Sequence, residues 1–280
     1  NVAGATAATL SGLDAGATVE LTAIGTLTVD LKTDSGSADA INLVIAKDGN
    51  LDVGDVVTTN IETVNISSTD TFKDVTGAKD AFGANIADGK DDTNSVQNID
   101  INSDTTKTIN VTGDSDLTIN IDVASSASAV TAVDASKFTG KLTVTLDGAA
   151  AGTTATGGSG NDTFVASGAD DVIIGGAGDD TITLTNTTTA TGGAGNDTFI
   201  FATTATATTY STITDLSAGD IISTTGAVAD NFVSTMVTGT SASTFANMLD
   251  AAIAAAADLG DATLDDAMAY FQFGGNTYLV

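Results

Sequence analysis

Gly157-Gly158-Ser159-Gly160-Asn161-Asp162-Thr163-Phe164-Val165 returns as Gly175-Gly176-Ala177-Gly178-Asp179-Asp180-Thr181-Ile182-Thr183 and again as Gly192-Gly193-Ala194-Gly195-Asn196-Asp197-Thr198-Phe199-Ile200. Each copy reads G-G-x-G-x-D-x-U-x, where U is a large apolar residue, and repeats of this length are a mark of parallel β-coils. The copies begin 18 and then 17 residues apart. A coil turn holding two nine-residue units repeats at that spacing, so the three loops are predicted to stack along one edge. Between the first two copies, Ala166 to Ile174 keeps Asp170, Asp171 and Ile173 but has lost most glycines. That degenerate copy is predicted to face the opposite edge.

The residue types point to a hard cation. Calcium takes six to eight oxygens at about 2.3–2.6 Å. Glycine reaches backbone conformations closed to other residues, so a glycine-rich turn can present consecutive carbonyls. The aspartate adds a formal charge, and Phe164, Ile182 and Phe199 follow as inward rungs of short strands. Asn-Asp and Gly-Gly are also ordinary turn formers. The threefold return of glycine and aspartate in one frame favours the metal in the three full copies, and turn chemistry in the degenerate one.

Composition agrees. The 36 acidic residues include only two glutamates, Glu20 and Glu62, so aspartate, the acid of loops, dominates. Net charge is −28 with eight lysines, no arginine and no lysine beyond Lys141. Downstream of Lys141 every charged residue is an acid, a self-repulsion that calls for bound metal as part of the fold. This charge argues against nucleic acid, whose phosphates need clustered cations. No apolar run reaches the length of a membrane span. Without Cys there are no disulfides or thiol chemistry, and without His there is no Ser-His-Asp triad and no HExxH zinc site; no enzyme is expected. The chain opens at Asn1 without Met, so a fragment or processed form is expected.

Upstream of the nonapeptides, apolar residues alternate with Thr, Asn or Asp in Leu27–Leu31, Val64–Ile66, Ile99–Ile101, Ile109–Val111, Ile119–Ile121 and Leu142–Leu146. Period-two alternation marks strands with one buried face. Ile61–Ser67 and Val96–Asn102 resemble each other 35 residues apart, like rungs of a solenoid. Absence of Pro suits such ladders. The acidic loops Asp34–Asp39, Asp48–Asp55 and Gly113–Asp116 fit either calcium or turns, and 78–93 reads as a mobile insertion. Thr214–Ile222, containing Asp220, reads as a closing strand. A helix is predicted from a Ser243 cap to Gly260, with Phe245, Met248, Leu249, Ala252, Ile253 and Ala256 on one face. Tyr270–Phe273 and Thr277–Val280 around Gly274-Gly275-Asn276 read as a hairpin.

The expected fold is all-β: short strands form a β-solenoid that runs into a calcium-stabilised parallel β-roll, closed by one amphipathic helix and a β-hairpin. Expected regions are 1–95 and 96–156 (β-repeats), 157–226 (the roll) and 227–280 (the cap).

The nonapeptides, with Ile61–Ile66, Ile109–Asp114, Val133–Ser136 before Thr139-Gly140, and Phe271–Tyr278, resemble the calcium-dependent RTX surface-layer proteins of Gram-negative bacteria, particularly the Caulobacter type. The resemblance covers roughly residues 55–280 and implies a structural protein that leaves through a type I secretion channel and folds outside the cell. It implies self-assembly into a two-dimensional lattice at the cell surface. Partners would be copies of itself, the secretion machinery, and surface polysaccharide or outer membrane through an N-terminal region outside this sequence. Family members usually continue past the terminal hairpin, so part of the export signal is expected to be missing. The resemblance also implies two calcium ions, one between the Asp162 and Asp180 loops and one between the Asp180 and Asp197 loops. Their ligands would come from Gly157, Ser159, Asn161 and Asp162; from Gly175, Gly176, Ala177, Gly178, Asp179 and Asp180; and from Gly193, Gly195, Asn196 and Asp197. Further candidates are Asp170, Asp171, Asp220, Asp34 and Asp39. An adhesin, or the secretion and folding module of a larger exported protein, is the alternative.

Overall fold

The computed structural model describes residues 7–21, 25–32, 36, 38–46, 51–69, 97–103, 105–122, 130–146, 149–150, 152–166, 168–185, 187–202, 211–224, 270–273 and 276–279. Asp34, the 78–93 segment and the predicted helix lie outside the described residues.

From Ala7 to Thr224 the chain alternates between two parallel sheets. The ten-stranded sheet holds β1 (Ala7–Leu13), β3 (Thr26–Leu31), β5 (Leu51–Thr59), β7 (Gln97–Asn102), β9 (Leu117–Asp122), β11 (Leu142–Thr145), β13 (Thr163–Val165), β15 (Thr181–Leu184), β17 (Thr198–Phe201) and β19 (Ile221–Thr224), in that order. The nine-stranded sheet holds β2 (Thr18–Leu21), β4 (Ala40–Ala46), β6 (Thr63–Thr69), β8 (Thr108–Gly113), β10 (Ala132–Phe138), β12 (Thr154–Thr156), β14 (Val172–Ala177), β16 (Thr189–Ala194) and β18 (Thr212–Ile213). Each strand hydrogen-bonds to the strand two before it, so one coil turn is two strands and two edges. The first edge carries the chain from the nine- to the ten-stranded sheet, and the second edge carries it back. Beyond the coil, Tyr270–Phe273 and Asn276–Leu279 pair antiparallel.

The period-two pattern fills the space between the sheets. In β4, Ile41, Leu43 and Ile45 are buried; Ile99 and Ile101 in β7 and Ile119 and Ile121 in β9 come from the facing sheet. Each such side chain contributes roughly 1.5–3 kcal/mol. Outside, Asn42, Asn65 and Asn110 stand in register: Asn65 Nδ2 donates to Asn42 Oδ1 at 2.9 Å and Asn110 Nδ2 to Asn65 Oδ1 at 2.8 Å.

One sequence expectation is refined and one is corrected. The look-alike segments around Val64 and Ile99 are both rungs of the coil but do not lie in one sheet. Val64 stacks between Ile41 and Ile109, whereas Ile99 stacks beside Ile119 in the other sheet. Both sheets face one apolar core, so the same alternation suits either. Thr214–Ile222 is not one strand either: β18 ends at Ile213, residues 214–220 cross the first edge, and β19 begins at Ile221. Asp215 and Asp220 accept the Gly192 and Asp197 amides there, tying this crossing to the loop before it.

Candidate metal centre

The three full nonapeptides cross the first edge, between β12 and β13, β14 and β15, and β16 and β17. They stack directly on one another. Ala177 N–H donates to Gly158 O at 2.9 Å and Gly178 N–H to Ala194 O at 2.8 Å, while Gly176 pairs with Gly193. Gly176 and Gly193 have φ of 118° and 106°, where a side chain would be strained. The fifth loop positions are tied as well: Asp179 N–H donates to Asn161 Oδ1 at 2.9 Å and Asn196 N–H to Asp179 Oδ1 at 2.8 Å. Ser159 and Gly195 stand on the outer side of this stack.

The sixth positions form a carboxylate ladder inside the corner. Asp162 Oδ1 accepts the Leu142 N–H at 2.8 Å, Asp180 Oδ1 the Asp162 N–H at 2.7 Å, Asp197 Oδ1 the Asp180 N–H at 2.9 Å, and Asp220 Oδ1 the Asp197 N–H at 2.9 Å. Asp162, Asp180 and Asp197 are each only 1% exposed. Burial pushes the Asp162 carboxyl up to about 6 and that of Asp180 up to about 7, with the charges of Asp162 and Asp197 adding to the rise at Asp180. Burial also raises Asp197, helped by Asp220 and Asp215.

The second oxygens differ. Asp162 Oδ2 accepts the Gly158 N–H at 2.8 Å, but Asp180 Oδ2 is buried without a hydrogen-bond partner. A Cβ on Gly175 would fall on Asp180 Oδ2 and beside the Gly192 carbonyl, and one on Gly157 would fall beside the Gly175 carbonyl and Asp162 Oδ2. Glycine thus keeps open a cradle walled by carbonyl and carboxylate oxygens. Among the described residues no three acidic side chains gather at one point. The donor set is therefore carboxylates from adjacent loops plus backbone carbonyls, all hard oxygens, which suits calcium and not a nitrogen- or sulfur-seeking metal.

The remaining candidates divide. The degenerate copy crosses the second edge, from β13 to β14, as the spacing of two units per turn predicts. There Asp171 is fully buried with both oxygens taken by protein amides, from Thr153 and Gly168, each at 3.0 Å. Exposed Asp170 accepts the Thr187 hydroxyl at 2.8 Å. Asp220 tops the ladder, its Oδ2 accepting the Ser217 N–H at 2.6 Å. Asp39 lies on the second edge, far along the coil from the nonapeptides, and its Oδ2 is buried without a partner. Sequence reasoning missed Asp215, whose two oxygens accept the Gly192 and Gly193 amides at 2.8 Å each. Its place at position one of a glycine-poor ninth-residue frame ending in Asp220 and Ile222 was the available signal.

Residues 154–185 and 188–201 match the RTX calcium-binding nonapeptide repeat (4 copies). No curated protein matches the chain. The matched residues span the three stacked loops and the second-edge copy between them, so the chain carries RTX-type calcium-binding repeats within a parallel two-sheet coil.

Proposed function

We propose that this chain is an exported structural protein whose roll orders on calcium outside the cell, and that the ordered coils associate laterally into a surface layer. The buried, unpartnered Asp180 Oδ2 at the centre of the stacked repeats carries the calcium reading. Ligands would be the Asp162, Asp180 and Asp197 carboxylates with carbonyls of Gly157, Gly175 and Gly192 nearby, in two gaps between three loops. Bound calcium supplies the positive charge that these buried carboxylates otherwise lack. The residues do the rest: the glycines hold the loops close enough to share an ion, and the amide ladder takes each Oδ1, leaving Asp180 Oδ2 to face the gap.

A site with Kd on the order of 0.1 mM stabilises the ordered state by about 1–2 kcal/mol at millimolar calcium. In the low-calcium cytosol the acids downstream of Lys141 would repel one another and favour the unfolded chain that a secretion channel needs. The lattice reading draws on the resemblance of the flanking segments to surface-layer proteins. Because the repeat match is confined to 154–201, an adhesin or the folding and secretion module of a larger exported protein is the second reading.

Calcium titration followed by circular dichroism and negative-stain microscopy on the same samples tests both levels. Ordering with two-dimensional sheets, both reversed by chelator, is the expected result. Ordering without sheets at high protein concentration would move the reading to adhesin or folding module. No response to calcium would remove the proposal.

A further inference from the structure

The first calcium loop rests on a rung that repeats its frame without its carboxylate. Thr139-Gly140-Lys141-Leu142-Thr143-Val144 stands where Ser159-Gly160-Asn161-Asp162-Thr163-Phe164 stands one turn later. Thr143 pairs with Thr163 and Val144 with Phe164. The backbone relation between the two loops is also that of the calcium loops. Ser159 N–H donates to Phe138 O at 3.0 Å, as Ala177 N–H donates to Gly158 O at 2.9 Å. A Cβ on Gly160 would meet the Gly140 carbonyl, as one on Gly178 would meet the Gly160 carbonyl. The floor of carbonyls therefore continues one rung upstream of Asp162, while the sixth-position carboxylates stop; in the fifth-position column Asp116 Oδ1 still accepts the Lys141 N–H at 2.8 Å.

What replaces them is visible in one register column. Leu51 pairs with Gln97, Gln97 with Leu117, and Leu117 with Leu142. The next members are Asp162, Asp180, Asp197 and Asp220, joined by the amide ladder. Leu51, Leu117 and Leu142 are buried in the corner that the aspartates occupy downstream. Beside Leu142, exposed Lys141 holds the loop position filled by Asn161, Asp179 and Asn196, and it is the last cation of the sequence.

We propose that the Lys141-Leu142 pair ends the calcium stack. Leucine withdraws the second carboxylate from the gap beneath the 157–162 loop, and lysine places a covalently held positive charge at its mouth. No ion is then needed or accepted there, and the coil upstream closes on apolar side chains. This inference rests on the calcium reading above and adds where that binding stops and which residues stop it.

The test counts calcium bound per full-length chain by equilibrium dialysis and elemental analysis, for the natural sequence and for Lys141→Asn/Leu142→Asp. The variant restores the nonapeptide frame and is expected to bind one ion more than the natural chain. An unchanged count in a variant that shows the natural circular dichroism spectrum overturns the proposal. Should that variant fail to fold even in calcium, the reciprocal Asn161→Lys/Asp162→Leu decides. It is expected to bind one ion fewer while residues 175–201 keep their amide protection in calcium; an unchanged count, or loss of every ion, overturns the proposal. A natural chain that binds no calcium defeats the underlying reading itself, a result none of the variant outcomes can mimic.

Discussion

Residues 7–146 and 154–224 follow one topology and solve the same corner differently. Upstream, β2 to β9 bury two or three large aliphatic residues each, such as Ile41, Leu43 and Ile45 in β4, and Leu51, Leu117 and Leu142 lie in the first-edge corner. Downstream, β12 buries Ala155 alone, β13 buries Phe164, and the corner is aspartate. An apolar corner is stable in any compartment. A carboxylate corner is stable only when its charge is met. On the calcium reading proposed above, the same coil would contain a portion that packing holds together and a portion that an ion completes.

The sharpest way to break this contrast is chelation. Calcium removal is expected to erase amide protection throughout 154–224 while leaving most of it in the described strands between 7 and 146, read by hydrogen exchange and mass spectrometry. Uniform loss along the coil would mean that both portions depend on calcium, and the distinction between the corners would fall.

Acid should partly replace the ion. The Asp162 and Asp180 carboxyls lie at about 6 and about 7 in the folded roll, above the ordinary value of 3.8. The folded roll therefore binds protons more tightly than the unfolded chain, and protonation stabilises it. That contribution is complete below about pH 4 and is lost as pH rises through 6 and 7. In chelator, order in the downstream portion is expected to grow on acidification from pH 7.5 to pH 5, and apparent calcium affinity to weaken over the same span as protons compete. Metal-free order that increases with pH would contradict the burial argument.

Single substitutions sharpen the comparison further. Ile101→Ala removes a fully buried upstream side chain and is expected to cost about 2–5 kcal/mol, equally with and without calcium, in denaturant unfolding. Asp180→Ala strikes the carboxylate shared by both proposed gaps. It is expected to remove about 2–4 kcal/mol of calcium-linked stabilisation, measured as the lost calcium-dependent shift of the unfolding midpoint, with chelated stability little changed. A calcium response in Asp180→Ala equal to that of the natural chain would show that its unpartnered oxygen is not a ligand.

The two portions were not equally legible in the sequence. The nonapeptides announce themselves because backbone geometry demands their glycines: Gly176 and Gly193 need positive φ, and Gly175 must leave room for Asp180 Oδ2. Those constraints survive as letters, and stacking on one edge followed from spacing. Upstream, period-two alternation revealed strands but not their sheet, since Val64 and Ile99 face the same core from opposite sides. The identity of Leu142 with Asp162 as members of one column was hidden for a related reason. Nothing in a leucine records which polar residue it displaces until the register is known. The lost glycines around Asp171 already pointed to turn chemistry there, and the amides donated by Thr153 and Gly168 show its physical form: a satisfied acid beside the unsatisfied Asp180.

The smallest expected effect probes how the upstream portion handles its own polar column. Asn42, Asn65 and Asn110 stack on the outer face of the nine-stranded sheet, and Asn42 Nδ2 reaches the Gly16 carbonyl at 2.8 Å. Asn42 and Asn65 both donate and accept along the coil axis and Asn110 donates to Asn65, so the three amides link to one another without an ion and carry no net charge. Asn65→Ala leaves Asn110 without its acceptor and Asn42 without its donor. Because the face is part-exposed, water replaces much of what is lost, and the cost is expected to be about 0.5–1.5 kcal/mol. That cost should be insensitive to calcium, to chelator and to pH between 5 and 7.5. A cost that appears only in calcium would mean that the upstream coil feels the ion stack through the sheet, and that packing alone does not hold it.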